Sequence, residues 1–458
     1  MKAILLALAA FPSLALAQPV DPAALRDRAL SDDTAWNIVA DLTTEIGPRL
    51  AGSEAEARAR DWAVTRLKAL GFSNVRIEPF EIDGWERGVE RGEILAPFMQ
   101  PLVLTALGRS GATPAKGLTG EVVGFNSLAA LEAAPASAIA GKIVFIWHRM
   151  APAQDGSNYA TFVPIRQKAP SIAASKGAAA IVIRSIGTSS HRIAHTGVTT
   201  WAEGQKPIPA AALSVPDAAQ LERLLAKGGP VRLRLVLTPR FTGKRPSGNV
   251  IAEIPGRDPD AGIVLISGHL DSWDLGTGAI DDGAGVAIAA ASASLVGHAG
   301  QPLRTIRVVW FGSEEISAAG GDAYKAAHGS KKHVMVAESD FGSDRIWKFS
   351  TLVSEPLSPV LARLAELLLP LGIVRGLNDA RPGADIHQLA AAGMPLISLR
   401  QDGSRYLDLH HTPDDTLDKV DSSQLRQNVA AWTVVLSIAA NDPDWPEKPV
   451  IRSKSDAK

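Results

Sequence analysis

Two textures of hydrophobic patterning divide the chain. From residue 249 onward, uninterrupted apolar runs at 249–254, 263–267, 305–311, 333–337 and 395–399 alternate with helical segments at 285–296, 358–369, 386–392 and 422–440. Runs that are apolar at every position suit strands buried on both faces. The pattern therefore predicts an α/β fold with a mixed, largely parallel sheet covered by helices on both faces. Nearer the start, residues 32–70 read as helical, interrupted by a turn at Gly47-Pro48. Ser53 with Glu56 three residues later forms a capping-box signal, and Gly71 supplies a stop. Residues 74–80 alternate as a strand does.

Between these lies a different texture. Short apolar runs at 143–147, 180–183 and 231–236 are separated by Gly, Pro and Ser clusters, with one helical stretch at 171–179. This predicts a β-rich domain at 116–240, inserted into a larger domain formed by 18–115 and 241–442 and followed by a tail at 443–458. Residues 1–17 read as an export signal. Lys2 precedes an apolar stretch at 4–16, and Ala15-Leu16-Ala17 is a small-x-small cleavage site. That stretch is too short for a bilayer core of about 30 Å, and no other stretch is expected to reach membrane length. The protein is expected in the periplasm or secreted, without a membrane partner.

Composition narrows the chemistry. The 458 residues are 46% hydrophobic and 21% charged with a formal net charge of -1. This lacks the basic footprint of a nucleic-acid or acidic-membrane binder. There is no cysteine, so disulfides, thiolate ligands and a cysteine nucleophile are excluded. Metal chemistry would rest on His, Asp and Glu.

Those residue types gather after the apolar runs. His269 and Asp271 follow the run at 263–267, and Asp281-Asp282 precede the helix at 285–296. Glu314-Glu315 follow 305–311, and Glu338 and Asp340 follow 333–337. His410-His411 come near the end. In sheets of this kind, sites form at the carboxyl ends of the strands, and charges rarely follow such strands without a partner. A pair of divalent cations needs a bridging carboxylate, further ligands on each ion and a shared water. His269, Asp281, Glu315, Asp340 and His411 supply that set. Nitrogen and oxygen donors without sulfur suit catalytic zinc, which gives an expectation of two Zn2+ per chain. Glu314 is then the natural general base.

The motifs His269-Leu270-Asp271-Ser272-Trp273-Asp274, Gly278-Ala279-Ile280-Asp281-Asp282-Gly283, Glu314-Glu315, Glu338-Ser339-Asp340 and His411-Thr412-Pro413-Asp414-Asp415-Thr416 resemble those of the co-catalytic two-zinc exopeptidases. Leucyl aminopeptidases, glutamate carboxypeptidase and carboxypeptidase Q belong to that family. Residues 268–274 and the paired His410-His411 look closest to the carboxypeptidase Q branch. Gly47-Pro48-Arg49-Leu50-Ala51-Gly52-Ser53 also matches the N-terminal segment of such enzymes.

The resemblance implies that Asp281 bridges the metals, that His269 and Asp340 complete one ion, and that Glu315 and His411 complete the other. It makes Glu314 the base and Asp271 the carboxylate that orients the His269 ring, with a cis peptide after Asp281. It further implies a protease-associated inserted domain, a homodimer, and hydrolysis of dipeptides or short peptides with carboxypeptidase or dipeptidase character. The alternatives are an aminopeptidase and a receptor-like protein without catalysis. His410 competes with His411 as ligand, although the spacing to Thr412 and Asp415 favours His411. The loop at His191 and His195-Thr196-Gly197 either faces the site or is ordinary surface. Asp385 either shapes the pocket or caps a helix.

Overall fold

A computed structural model describes residues 21–450, so the expected export signal and most of the tail lie outside the described residues. The chain builds two eight-stranded mixed sheets. The first runs, in spatial order, Ser73–Glu86, Arg240–Ile254, Thr305–Phe311, Ile263–His269, His333–Glu338, Leu396–Gln401, Ile346–Leu352 and Val374–Arg375. Its four central strands, from Thr305–Phe311 to Leu396–Gln401, are parallel, and the strands flanking them join antiparallel. This arrangement sets His269 and the residues after Phe311 and Glu338 along one edge of the sheet.

The expected helices form at Glu54–Ala69, Ala284–Ala299, Pro359–Leu368, His387–Ala391 and Ser422–Asn441. Ser53 caps the first, its hydroxyl accepting from the Glu56 N–H at 3.1 Å. The return half of the capping box falls one residue early, with the Glu56 carboxylate accepting from the Gly52 N–H at 3.3 Å. The 21-residue segment Ala279–Ala299 is long and apolar enough to cross a membrane, contrary to the sequence expectation. Residues 279–296 of it are buried, packed between the sheet and Ser422–Asn441, so its apolar surface serves the core.

The second sheet runs Gln100–Leu102, Glu90–Ala96, Arg232–Leu237, Leu118–Phe125, Ile143–Ile146, Ala180–Arg184, Ala210–Leu213 and Leu104–Ala106. Alternate side chains bury opposite faces. Ile143 and Phe145 enter one core, while Val144 and Ile146 enter another, beneath the helix Ser157–Ser175. Three features differ from the sequence expectation. The sheet begins at Glu90 rather than near 116, because its first strands carry Glu90, Arg91, Glu93 and Pro101 and so lack an apolar signature. It also carries helices, at Leu128–Ala133, Ser157–Ser175 and Val215–Ala226. The helix expected at 171–179 spans 157–175, with Pro164 and Pro170 inside it. Proline removes an N–H and crowds the preceding turn, which is why the sequence reads as broken there. The loop at 199–200 meets this stretch, with the Thr200 N–H donating to the Gln167 carbonyl at 3.0 Å.

Arg87 ties the two sheets. Its guanidinium forms a bidentate pair with Asp274, at 2.8 Å from Nε and 2.8 Å from Nη2. It also reaches Glu90 at 2.7 Å, Thr105 Oγ1 at 2.7 Å and Thr196 Oγ1 at 3.1 Å. Removing one member of such a sheltered pair leaves the other charge unmatched. Arg87→Met is therefore expected to cost about 3 kcal/mol, read as a lower urea midpoint; an unchanged midpoint would show that the sheets dock without it.

Candidate metal centre

The site grows from the carboxyl edge of the first sheet. The strand Ile263–His269 delivers His269, and Glu314 and Glu315 start a short helix just past Thr305–Phe311. Asp340 lies two residues beyond His333–Glu338, and Asp281 sits in the segment leading into Ala284–Ala299. The Asp281–Asp282 peptide is cis. His411 follows the short helix Tyr406–Leu409 and adopts a left-handed backbone with φ 60°, an uncommon state for a residue with a side chain.

The structure brings all five expected ligands together. His269 Nε2 lies 3.1 Å from Asp281 Oδ1 and 3.5 Å from Asp340 Oδ1. His411 Nε2 lies 3.3 Å from Asp281 Oδ2 and 3.0 Å from Glu315 Oε2. The two oxygens of Asp281 thus face two groups of donors. His410 stacks on His411 with ring centroids 3.5 Å apart. Its Nε2 is 3.6 Å from Asp281, and only His411 also reaches Glu315.

The surrounding groups hold this cluster in place. Asp271 accepts backbone N–H bonds from Glu314 at 3.1 Å and Glu315 at 3.3 Å. The His269 Nδ1 sits 3.0 Å from the Asp271 carbonyl and 3.8 Å from its carboxylate. The main chain of Asp271 therefore meets the ring more closely than the side chain expected to orient it. Asp282 accepts from the His269 N–H at 3.0 Å and the Gly285 N–H at 3.0 Å. Asp415 accepts from the Ile280 and Asp281 N–H groups.

Two contributors had no role assigned to them by local pattern alone. Arg49, fully buried, donates to the carbonyls of Leu270, Thr277 and Gly278, fixing the loop between His269 and Asp281. A Gly-Pro-Arg stretch reads as surface turn, and only its contacts reveal the role. Asp385 is buried with both oxygens unpaired, beside a Glu338 that burial pushes up to about 8. It does not cap a helix.

Electrostatics set the character of the cluster. Burial opposes charge on the His269 ring, but Asp340 and Asp281 outweigh it and push the ring well above its usual range. For His411, burial is likewise outweighed by Glu315 and Asp281, and the ring is pushed up to about 9. Asp281 resists burial through hydrogen bonds to both imidazoles and is held well below the usual carboxylate range. Burial, then the charges of Asp340 and Glu315, drive Glu314 well upward. One Glu315 oxygen is buried with no hydrogen-bond partner. So many sheltered anions around two rings fit cations as occupants, and the donors are the nitrogen and oxygen atoms that divalent metals take.

The centre opens onto a cavity of about 550 Å³. Asp281, Glu314, Glu315, Asp340 and His411 line one side. Tyr159, Val163, Arg166 and Gln167, one stripe of the helix Ser157–Ser175, line the other. The loop at 195–196 crosses between the two sides. The Thr196 N–H donates to the His411 carbonyl at 2.9 Å, and His195 Nδ1 lies 2.9 Å from the His410 carbonyl. His195 is buried while His191 is exposed, so only the later part of that loop faces the site.

Residues 249–436 match the model of peptidase family M28. The chain is 34% identical to carboxypeptidase Q of Bos taurus and of Homo sapiens over 403 residues, covering 87% of this chain and 84% of each relative. A solved peptidase M28 precursor from Shewanella amazonensis is 44% identical, with TM-score 0.92 over 94% of this chain and 98% of that one. An aminopeptidase from Aneurinibacillus shares the fold at 21% identity, with TM-score 0.62 over 94% of this chain and 99% of that one. Spanning most of its carboxypeptidase Q relatives at this identity, the chain belongs to peptidase family M28 and is a metallopeptidase.

Proposed function

We propose that this protein is a two-zinc exopeptidase that hydrolyses dipeptides or short peptides, with the carboxypeptidase or dipeptidase character of its carboxypeptidase Q relatives. The observation that carries the reading is the buried His269, Asp281, Glu315, Asp340 and His411 cluster, beside Glu314, on the wall of a cavity of about 550 Å³. A volume in the few-hundred to thousand Å³ range suits a small ligand.

Asp281 offers one oxygen to each side. His269 and Asp340 would complete one metal position, and Glu315 and His411 the other. Zinc bound there supplies Lewis acidity, lowering the pKa of water and polarising a carbonyl. Glu314 removes a proton from the attacking water and delivers it to the leaving amine. Asp271 anchors the backbone of Glu314 and Glu315, and its carbonyl fixes the His269 ring so that Nε2 faces the centre. Hydrolysis by this route needs no covalent enzyme intermediate.

Three measurements test this reading. A dipeptide with free ends should be cleaved, and a chelator should abolish cleavage. The N-acetylated and C-amidated forms then report which terminus is required. Failure to cleave any form in protein holding two zincs would overturn the reading. Glu314→Gln should retain two zincs by elemental analysis yet lose about 10²- to 10⁴-fold in kcat; full turnover in that variant would remove Glu314 from its role.

Zinc uptake should also release protons. The His269 and His411 rings of the metal-free protein titrate above their usual range, His411 at about 9. At pH 7.5 the His411 ring carries a proton that metal ligation must displace, and the upward shift of His269 acts in the same direction. Titration calorimetry in two buffers of different ionisation enthalpy should therefore show proton release, with zinc affinity rising as pH climbs toward 9. Uptake without release would show that these rings are not ligands.

A further inference from the structure

The cavity beside the metal centre has a neighbour. A smaller hollow of about 190 Å³ adjoins it, lined by Gly383 and by the later residues of the strand Leu396–Gln401. Among the described residues, only Asp340 and Phe341 line both spaces. The Phe341 ring is therefore the partition between them.

Phe341 directly follows a proposed metal ligand, and neighbouring Cα atoms stand about 3.8 Å apart. A peptide whose scissile carbonyl faces the metal centre meets this ring after about one residue on the Asp340 side. The hollow behind the ring, at about 190 Å³, is too small to receive a further length of chain unless the partition gives way.

The ring is held from three directions. Tyr406 packs against it with ring centroids 4.5 Å apart. Gly403 borders one edge, where a Cβ would come within 2.6 Å of Cε1. Gly156 borders another, where a Cβ would come within 2.5 Å of Cζ. Gly156 also has φ 66°, a backbone state that favours glycine.

Gly156 comes from the other sheet. It ends the segment 147–156, which joins the strand Ile143–Ile146 to the helix Ser157–Ser175. Three hydrogen bonds fasten this strap to the first sheet's side. The Gly403 N–H donates to the Gln154 carbonyl at 2.8 Å, Gln154 Nε2 to Asp402 at 3.0 Å, and Arg400 Nη1 to the Asp155 carbonyl at 2.9 Å. Met150 and Tyr159, near its two ends, pack against apolar clusters of both sheets. Gln154 and Asp155 are exposed while Gly156 is buried, so what the strap covers at its tip is Phe341.

Resting on the exopeptidase reading above, we infer that Phe341, pinned by the strap at 154–156, is the stop that admits one substrate residue and no more on the Asp340 side of the scissile bond. Dipeptides fit, and longer peptides fit only where the extra residues extend the other way. The second sheet thereby sets substrate length for a centre built by the first.

The test uses zinc-loaded enzyme, a dipeptide with free ends and a tripeptide of three different residues, with initial products read by mass. Wild type should cut the dipeptide and at most one tripeptide bond, sparing the other by about 10²-fold in kcat/KM. Phe341→Ala joins the two spaces and should raise the spared bond about tenfold relative to the dipeptide, with two zincs retained. Wild type that cuts both tripeptide bonds at similar rates overturns the inference. So does a variant in which all cleavages fall together and bond choice is unchanged, which is what a merely structural ring would give. Should Phe341→Ala fail to fold or to hold zinc, the double variant Gln154→Ala, Arg400→Ala is read on the same peptides. It keeps the ring and removes two strap bonds, so a gain of about threefold in the spared bond is expected, and no gain overturns the inference. Wild type that cleaves no dipeptide would overturn the exopeptidase reading, and the stop with it.

Discussion

Too many carboxylates converge in one sheltered place for all to stay charged without cations beside them. Asp271, Asp281, Asp282, Glu315 and Asp415 are buried around the centre, with Glu314 and Asp340 at its mouth. Mutual repulsion and poor solvation would drive this cluster apart or leave it protonated. Two imidazoles, the buried Arg49 and the backbone N–H groups aimed at Asp271, Asp282 and Asp415 keep it assembled. Much of the first sheet's architecture serves that purpose. Three of the parallel strands end side by side and deliver His269, the pair Glu314 and Glu315, and Asp340, while apolar runs behind them keep the floor dry.

That division explains what was legible in the sequence. The strands ending at His269, Phe311 and Glu338 announced themselves because residues buried on both faces leave no room for polar interruption. The acidic and histidine residues after them stood out for the same reason. Asp281 and Asp340 could be singled out because nothing in those runs competes with them for attention.

The remainder was hidden by ordinary chemistry. Arg49 sits in a Gly-Pro-Arg turn whose composition is that of surface loops, and only its carbonyl partners reveal that it is buried. The first half of the strand Arg240–Ile254 carries Gly243, Lys244, Pro246 and Gly248, residues that discourage strands; pairing with Ser73–Glu86 carries it through. Pro164 and Pro170 concealed the helix that presents Tyr159 and Arg166, so the wall facing the metal centre was invisible. Contacts between segments 245 residues apart, such as Arg166 with His411, leave no trace in local pattern.

The second sheet joins the first through two crossings at one corner. Glu86 pairs with Arg240 at the end of the first sheet, and Glu90 pairs with Leu237 at the start of the second. Departure and return are neighbours, so the chain between them forms a cassette that leaves and re-enters the first sheet at one corner. A lineage can lengthen, reshape or exchange such a cassette without re-threading the sheet that performs hydrolysis. Preference for one end of a peptide can then drift while the catalytic engine is inherited unchanged.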